Sequence, residues 1–106
     1  MSEFILVMIT SPEREEARRI ARALLEKRQA ACVGIYPRGE SFFWWEGKID
    51  RAEEHLLIAK TVRDRLDGLI ATVKEIHGYE VPEIVALPLT GGSREYLDWL
   101  ESEASL

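Results

Sequence analysis

The densest grouping of side chains able to do chemistry is the run His77-Gly78-Tyr79-Glu80-Val81-Pro82-Glu83, which brings an imidazole, a phenol and carboxylates together. An imidazole beside carboxylates suits a borderline cation such as Cu(II) or Zn(II), and the same groups can act as acid and base around a small ligand. The competing reading is a helix C-terminus followed by solvated acids. Gly78 fits the left-handed residue that commonly closes a helix, and a cationic His77 in the last turn would favour the dipole. His55, beside Glu53 and Glu54, is either a surface histidine or a ligand. The chain has 2 histidines, too few for a conventional mononuclear site, so a tight metal centre must recruit Cys32, carboxylates or another subunit. Cys32 lies in an apolar run, where a thiol is either an inert small hydrophobe or a soft-metal ligand. Lys60, in an otherwise apolar strand, must snorkel or meet an acid such as Glu83 or Glu46, across a subunit boundary if need be. Lys60, Tyr79, Glu80 and Glu83 together make a candidate cleft between subunits, and with His77 they are the groups an enzyme would use. No Walker A loop, GxGxxG, HExxH, GxSxG or paired CxxC is present, so no residue is assigned as catalytic.

These groups need a scaffold, and hydrophobic periodicity supplies one. Phe4 to Ile9 is a continuous apolar run that predicts a strand buried on both faces. Ser11 as cap, Pro12 at the first helical position and the Thr10/Glu13 capping-box spacing predict a helix to about Arg28. Its inner stripe is Ala17, Ile20, Ala21, Leu24 and Leu25. Ala31 to Tyr36 reads as a second strand, bent at Pro37-Arg38-Gly39 and resumed through Ser41-Phe42-Phe43-Trp44-Trp45. The turn is placed at Asp50-Arg51-Ala52, with Gly47 as the alternative, and Glu54 to Val62 returns as the third strand. A second helix starts near Thr61 and uses Val62, Leu66, Leu69, Ile70, Val73 and Ile76. Pro82 to Thr90 is a fourth strand, and Pro88 implies an edge. Ser93 after Gly91-Gly92 caps a short helix carrying Tyr96, Leu97, Trp99 and Leu100. The order β-α-β-β-α-β plus a terminal helix predicts an α+β, ferredoxin-like sandwich, with the first and third strands in the middle of an antiparallel sheet.

Period two along the aromatic run sends Phe42 and Trp44 to one side and Phe43 and Trp45 to the other. Each buried ring covers about 150 to 250 Å². One small core cannot cover both sides, so these four residues predict an interface with further copies of the same chain.

At 106 residues the chain is long enough for a single domain spanning residues 1–106. A formal charge of −5 argues against nucleic acid or an anionic membrane as the main partner. The lone Cys32 leaves no intramolecular disulfide. No apolar run reaches a membrane span and the first residues lack a basic signal region, which together predict a cytoplasmic protein.

The segments Ala30 to Val33 (AACV), Trp44 to Ile49 (WWEGKI), Lys60-Thr61, His77 to Pro88 (HGYEVPEIVALP) and Glu95 to Leu100 (EYLDWL) resemble the CutA family of divalent-cation tolerance proteins, in the same order and over nearly the whole chain. The resemblance implies a homotrimer closed by edge strands and long hairpins, similar in shape to PII-type signalling proteins. It also implies a non-catalytic role in the response to metal ions, with copper or another divalent cation as the bound species. Some members carry a cysteine at the end of the first strand and two successive histidines before a Pro-Tyr. Here those positions are Ile9, the pair Ile76-His77, and Gly78 for the proline, so the implied metal site falls on His77, with Cys32 a lesser candidate. A small-ligand signalling protein or enzyme with a site between subunits is the alternative.

Overall fold

A computed structural model describes residues 3–105. Strand β1 (Phe4–Ser11) leads into helix α1 (Arg14–Glu26), strand β2 (Cys32–Trp45) and strand β3 (Lys48–Val62). A 3-10 turn (Arg63–Arg65), helix α2 (Leu66–Ile76), strand β4 (Ile84–Pro88) and helix α3 (Arg94–Ala104) complete it. The sheet order is β2-β3-β1-β4, and every neighbouring pair is antiparallel. The first and third strands therefore lie in the middle, as the crossover rule requires, and Pro88 sits on an edge strand that needs no donor on its outer side.

Alternation along the two central strands divides the sheet. Ile5, Val7 and Ile9 pair across β1 and β3 with Thr61, Ala59 and Leu57, and this face is buried under Ala17, Ile20 and Leu24 of α1 and Leu69 and Val73 of α2. Each such aliphatic side chain contributes about 1.5 to 3 kcal/mol on burial, so this layer dominates stability. The opposite face carries Leu6, Met8, Leu56 and Ile58, continued outward by Tyr36 on β2 and Val85 and Leu87 on β4. Helix α3 covers one corner of it, packing Leu100 and Ala104 on Val62, Phe4 and Ala31. The rest lies open.

The β2–β3 hairpin outruns the sheet. Its tip is the Glu46-Gly47 pair with φ of 49° and 77°, flanked by the Trp45/Lys48 pair. Two successive left-handed residues match the twist of the strands they join. The turn is thus at Glu46-Gly47, not Asp50-Arg51-Ala52, and β3 begins at Lys48 rather than Glu54. Between the Tyr36/Leu56 and Gly39/Glu54 pairs β2 carries one extra residue. Arg38 there adopts φ of 66°, and a Cβ on Gly39 would stand 2.7 Å from the Glu54 carbonyl oxygen. This bulge reverses the parity of β2, so Phe43 and Trp45 continue the open face while Phe42 and Trp44 join Ile49 and Arg51 on the other. Arg51 pairs with Glu40 on that second face.

Local boundaries differ elsewhere for identifiable reasons. Ser11 belongs to β1, not to a cap, and helix α1 starts at Arg14, beyond Pro12, with Glu13 at the N-cap and no side-chain cap. The Thr10/Glu13 capping box does not form. Helix α1 stops at Glu26 because Arg28 turns left-handed (φ 56°), anchored by a 2.6 Å ion pair to Glu103 on α3. Leu25 falls off the inner stripe and is 41% exposed. Thr61 and Val62 remain in β3, and α2 begins only at Leu66. Strand β4 is shorter than Pro82 to Thr90. At the end of α2, His77 is extended (φ −65°, ψ 136°), and Gly78 is not left-handed.

The bulge yields a direct test. Gly39→Ala should cost about 1 to 3 kcal/mol, because backbone rather than a flexible side chain must yield. Gly47→Ala, with open space around its Cβ and only the left-handed φ against it, should cost nearer 1 kcal/mol. Chemical unfolding at one fixed protein concentration orders the two.

Candidate functional site

The His77 segment lands where α2 ends against the end of β1. The His77 ring is buried. Its Nε2 lies 2.6 Å from the Thr10 carbonyl oxygen, and its Nδ1 accepts the Tyr79 backbone N–H at 3.0 Å. The Glu16 carboxyl also approaches Nδ1, at 3.6 Å, but the amide contact is shorter and better formed. With Nδ1 accepting and Nε2 donating to a carbonyl, the ring is held as the neutral Nε2–H tautomer. Glu16, itself buried, accepts the Ser11 hydroxyl at 2.6 Å on one oxygen and the Gly78 backbone N–H at 2.8 Å on the other. A carboxyl on α1 thereby ties β1 to the segment after α2, and buried polar groups from three elements satisfy one another.

Tyr79 packs against His77 in a tilted arrangement with ring centroids 4.9 Å apart, and its hydroxyl donates to the buried Glu54 at 3.4 Å. Desolvation raises the Tyr79 phenol above its ordinary pKa, and the Glu54 carboxyl pushes the same way. Glu80 and Glu83 point away into solvent, with no hydrogen bond or ion pair among the described residues. The sequence run therefore splits: His77 is buried in the network, Tyr79 lies partly exposed at its edge, and the two acids stay outside it.

Lys60 meets neither Glu83 nor Glu46 within its own chain. Its Nζ lies 3.4 Å from the Tyr96 hydroxyl on α3 and 5.4 Å from that ring's centroid, and the Tyr96 hydrogen bond raises the Lys60 pKa. Cys32 pairs with Lys60, which pairs in turn with Leu6, whereas His77 contacts Thr10 at the other end of β1. Four residues of strand separate those rungs, roughly 13 Å, so Cys32 and His77 do not converge.

A family-type metal centre at His77 does not fit these residues. Both ring nitrogens are already engaged by backbone groups, and no cluster of three His, Cys, Asp or Glu side chains suited to an ion occurs among the described residues. The aromatic residues behave otherwise. Phe42, Trp44 and Trp45 are more than 60% exposed and Phe43 is 39% exposed, and Tyr36, Val85 and Leu87 on the open face are about half exposed.

One grouping escaped the sequence reading. Arg14 and Arg18 on α1, Arg38 at the bulge and His55 on β3 line a common cleft of about 520 Å³ together with Ile35 and Pro37. The sequence signal available was the Arg14/Arg18 spacing, which puts two like charges on one helix face. Arg38 joins them only through the bulge.

Comparison with known proteins follows the same outline. Residues 5–103 match the family described as CutA1 divalent ion tolerance protein. The divalent-cation tolerance protein CutA of Thermus thermophilus is 50% identical over 95 residues, covering 90% of this chain and 92% of that one. Its counterpart in Archaeoglobus fulgidus is 48% identical, with the same coverage. The chloroplastic CutA 1 of Oryza sativa is 46% identical over 92% of this chain, which spans 55% of the rice protein's length. The chain likewise spans only 54% of the chloroplastic Arabidopsis thaliana relative. Among solved structures, the Thermus thermophilus Cut A1 superposes with a TM-score of 0.93 at 48% identity, covering 94% and 97% of the two chains. The periplasmic CutA of Archaeoglobus fulgidus gives 0.93 at 45%, covering 96% and 99%. With the family model matched from residue 5 to 103 and relatives at 48% and 50% identity over 90% of its length, the chain belongs to the CutA1 divalent ion tolerance family.

Proposed function

We propose that this protein acts as a homotrimeric, non-catalytic component of the response to divalent metal ions. The observation that carries the assembly is the open sheet face, continuous with the hairpin rings, whose apolar side chains one chain leaves in water. An exposed patch of this kind marks a surface for association, and copies related by rotation offer it a complementary surface. Closure by three copies rather than two follows from the family resemblance; the open face alone does not select the number. The non-catalytic reading is supported by Lys60 contacting Tyr96 while both His77 ring nitrogens are engaged by backbone groups, and by family names that describe tolerance rather than a reaction. A cytoplasmic location belongs to the same reading, supported by the absence among the described residues of any helix long and apolar enough to cross a membrane, and by the unpaired Cys32. Relatives named chloroplastic or periplasmic show that this feature varies in the family.

Copper or another divalent cation remains the chemical species to which the family name points. In this chain such an ion would bind at groups that are free to coordinate it, with His77 acting as a structural residue. Titration of Cu(II) followed by calorimetry should give the same affinity for the wild-type protein and for a His77→Ala variant that keeps its fold. A tenfold or greater loss in the variant would return His77 to the metal site.

The assembly has its own test. Ile58→Glu places a charge in the middle of the open face, where a folded single chain tolerates it but an apolar interface does not. Light scattering at matched concentration should report a smaller particle for this variant, with unchanged far-ultraviolet circular dichroism. An unchanged mass would remove the open face from the interface.

A further inference from the structure

The cleft between the N-terminal half of α1 and the β2 bulge gathers arginines that pair with no acid among the described residues. Arg14 and Arg18 lie one helical turn apart, so their side chains leave the same face of α1 despite having like charges. Arg38 approaches from the bulge, held there by a left-handed backbone that a non-glycine residue seldom adopts. Among the described residues none of these guanidinium groups makes an ion pair or hydrogen bond, although Arg22, Arg28, Arg51 and Arg63 on the same molecule all pair with glutamates. The acids outnumber the bases by 19 to 14, so three arginines gathered in one cleft without a carboxylate run against the composition of the chain. His55 completes the lining, and its Nδ1 is shielded from solvent with no hydrogen-bond partner among the described residues. An orphaned buried ring nitrogen is a group waiting for a ligand or a water.

We infer that this cleft binds the diphosphate group of a small molecule. Guanidinium forks match phosphate oxygens in pairs and stay charged at any physiological pH. Three of them, with an imidazole, exceed what a single carboxylate neutralises and approach the charge of two linked phosphoryl groups. A cleft of about 520 Å³ is within the range of small-molecule sites and larger than a bare anion needs, and Ile35 and Pro37 in its lining offer apolar contact to the remainder of the ligand. An extended polyanion such as RNA is disfavoured, because outside the cleft it would meet a surface of net negative charge. The cleft is lined by residues of one chain, beside the β2 edge, and its reading does not rest on metal binding.

The chain's two histidines make the test clean. Histidine-selective nitrogen-15 spectra of the full chain should be followed while inorganic pyrophosphate is added at low, constant ionic strength. The His55 signals should move saturably, while His77, sealed by Thr10 and Tyr79, stays put. Arg18→Ala and Arg38→Ala should each weaken the apparent affinity at least tenfold, and Arg22→Ala, on the same helix but outside the cleft, should leave it unchanged. Adenosine diphosphate as a second probe separates the sources: tighter binding assigns the rest of the cleft to an organic group, equal binding assigns the diphosphate alone, and either retains the site. The inference is overturned if His55 does not respond. It also fails if sulfate at equal charge moves His55 as far, or if Arg22→Ala weakens binding as much as Arg38→Ala.

Discussion

An antiparallel sheet covered by helices on one face only must do something with the other, and this constraint organises the molecule. Helices α1 and α2 consume the odd-numbered side chains of β1 and the matching rungs of β3, while α3 is long enough to close one corner of the remaining face. The strands then continue past the sheet as an arm. The radius of gyration of 14.3 Å exceeds the roughly 13 Å expected of a compact chain of this length, and the longest dimension reaches 44 Å. Apart from strand pairing and the Glu40–Arg51 ion pair, an arm of that length packs little against its own chain. Its two strands stay in register to the tip, yet its rings lie in water, so the apolar free energy they carry is realised only on association.

The bulge at Pro37 and Arg38 links this constraint to the rest of the surface. By inserting one residue it turns Phe43 and Trp45 onto the open face, so the arm extends that face instead of presenting a new one. The same backbone distortion carries Arg38 toward Arg14 and Arg18. A single irregularity in one strand thus sets both where the aromatic side chains go and where positive charge collects. The buried knot of Glu16, Ser11, His77 and Gly78 has a different task. It locks the end of α2 to β1 and α1, and so fixes the entry into β4.

Much of this was legible in the residues, and the failures have physical causes. The apolar run Phe4 to Ile9, the helical stripe of α1 and the bend at Pro37-Arg38-Gly39 all read directly, because each is a local pattern. The strand order followed from handedness. For the hairpin turn the alternative at Gly47 holds and Asp50-Arg51-Ala52 does not: the latter looks like turn chemistry, whereas the actual left-handed pair places a glutamate where asparagine or glycine is usual. Thr61 and Val62 satisfy helical spacing as well as strand alternation, and pairing with Ile5 and Phe4 decides between them. The role of His77 was illegible for a stronger reason. Its partners Thr10 and Glu16 lie more than 60 residues away, and no local pattern announces a contact of that separation. The arginine cleft was hidden in the same way.

The account turns on whether the open face and the arm are covered by other copies of the chain. Sedimentation equilibrium of the wild-type protein across a wide dilution series measures that most directly. The account predicts a single species of three times the 12.1 kDa chain mass, persisting on dilution. A folded species of 12.1 kDa, with tryptophan emission typical of water-exposed indole, would contradict it.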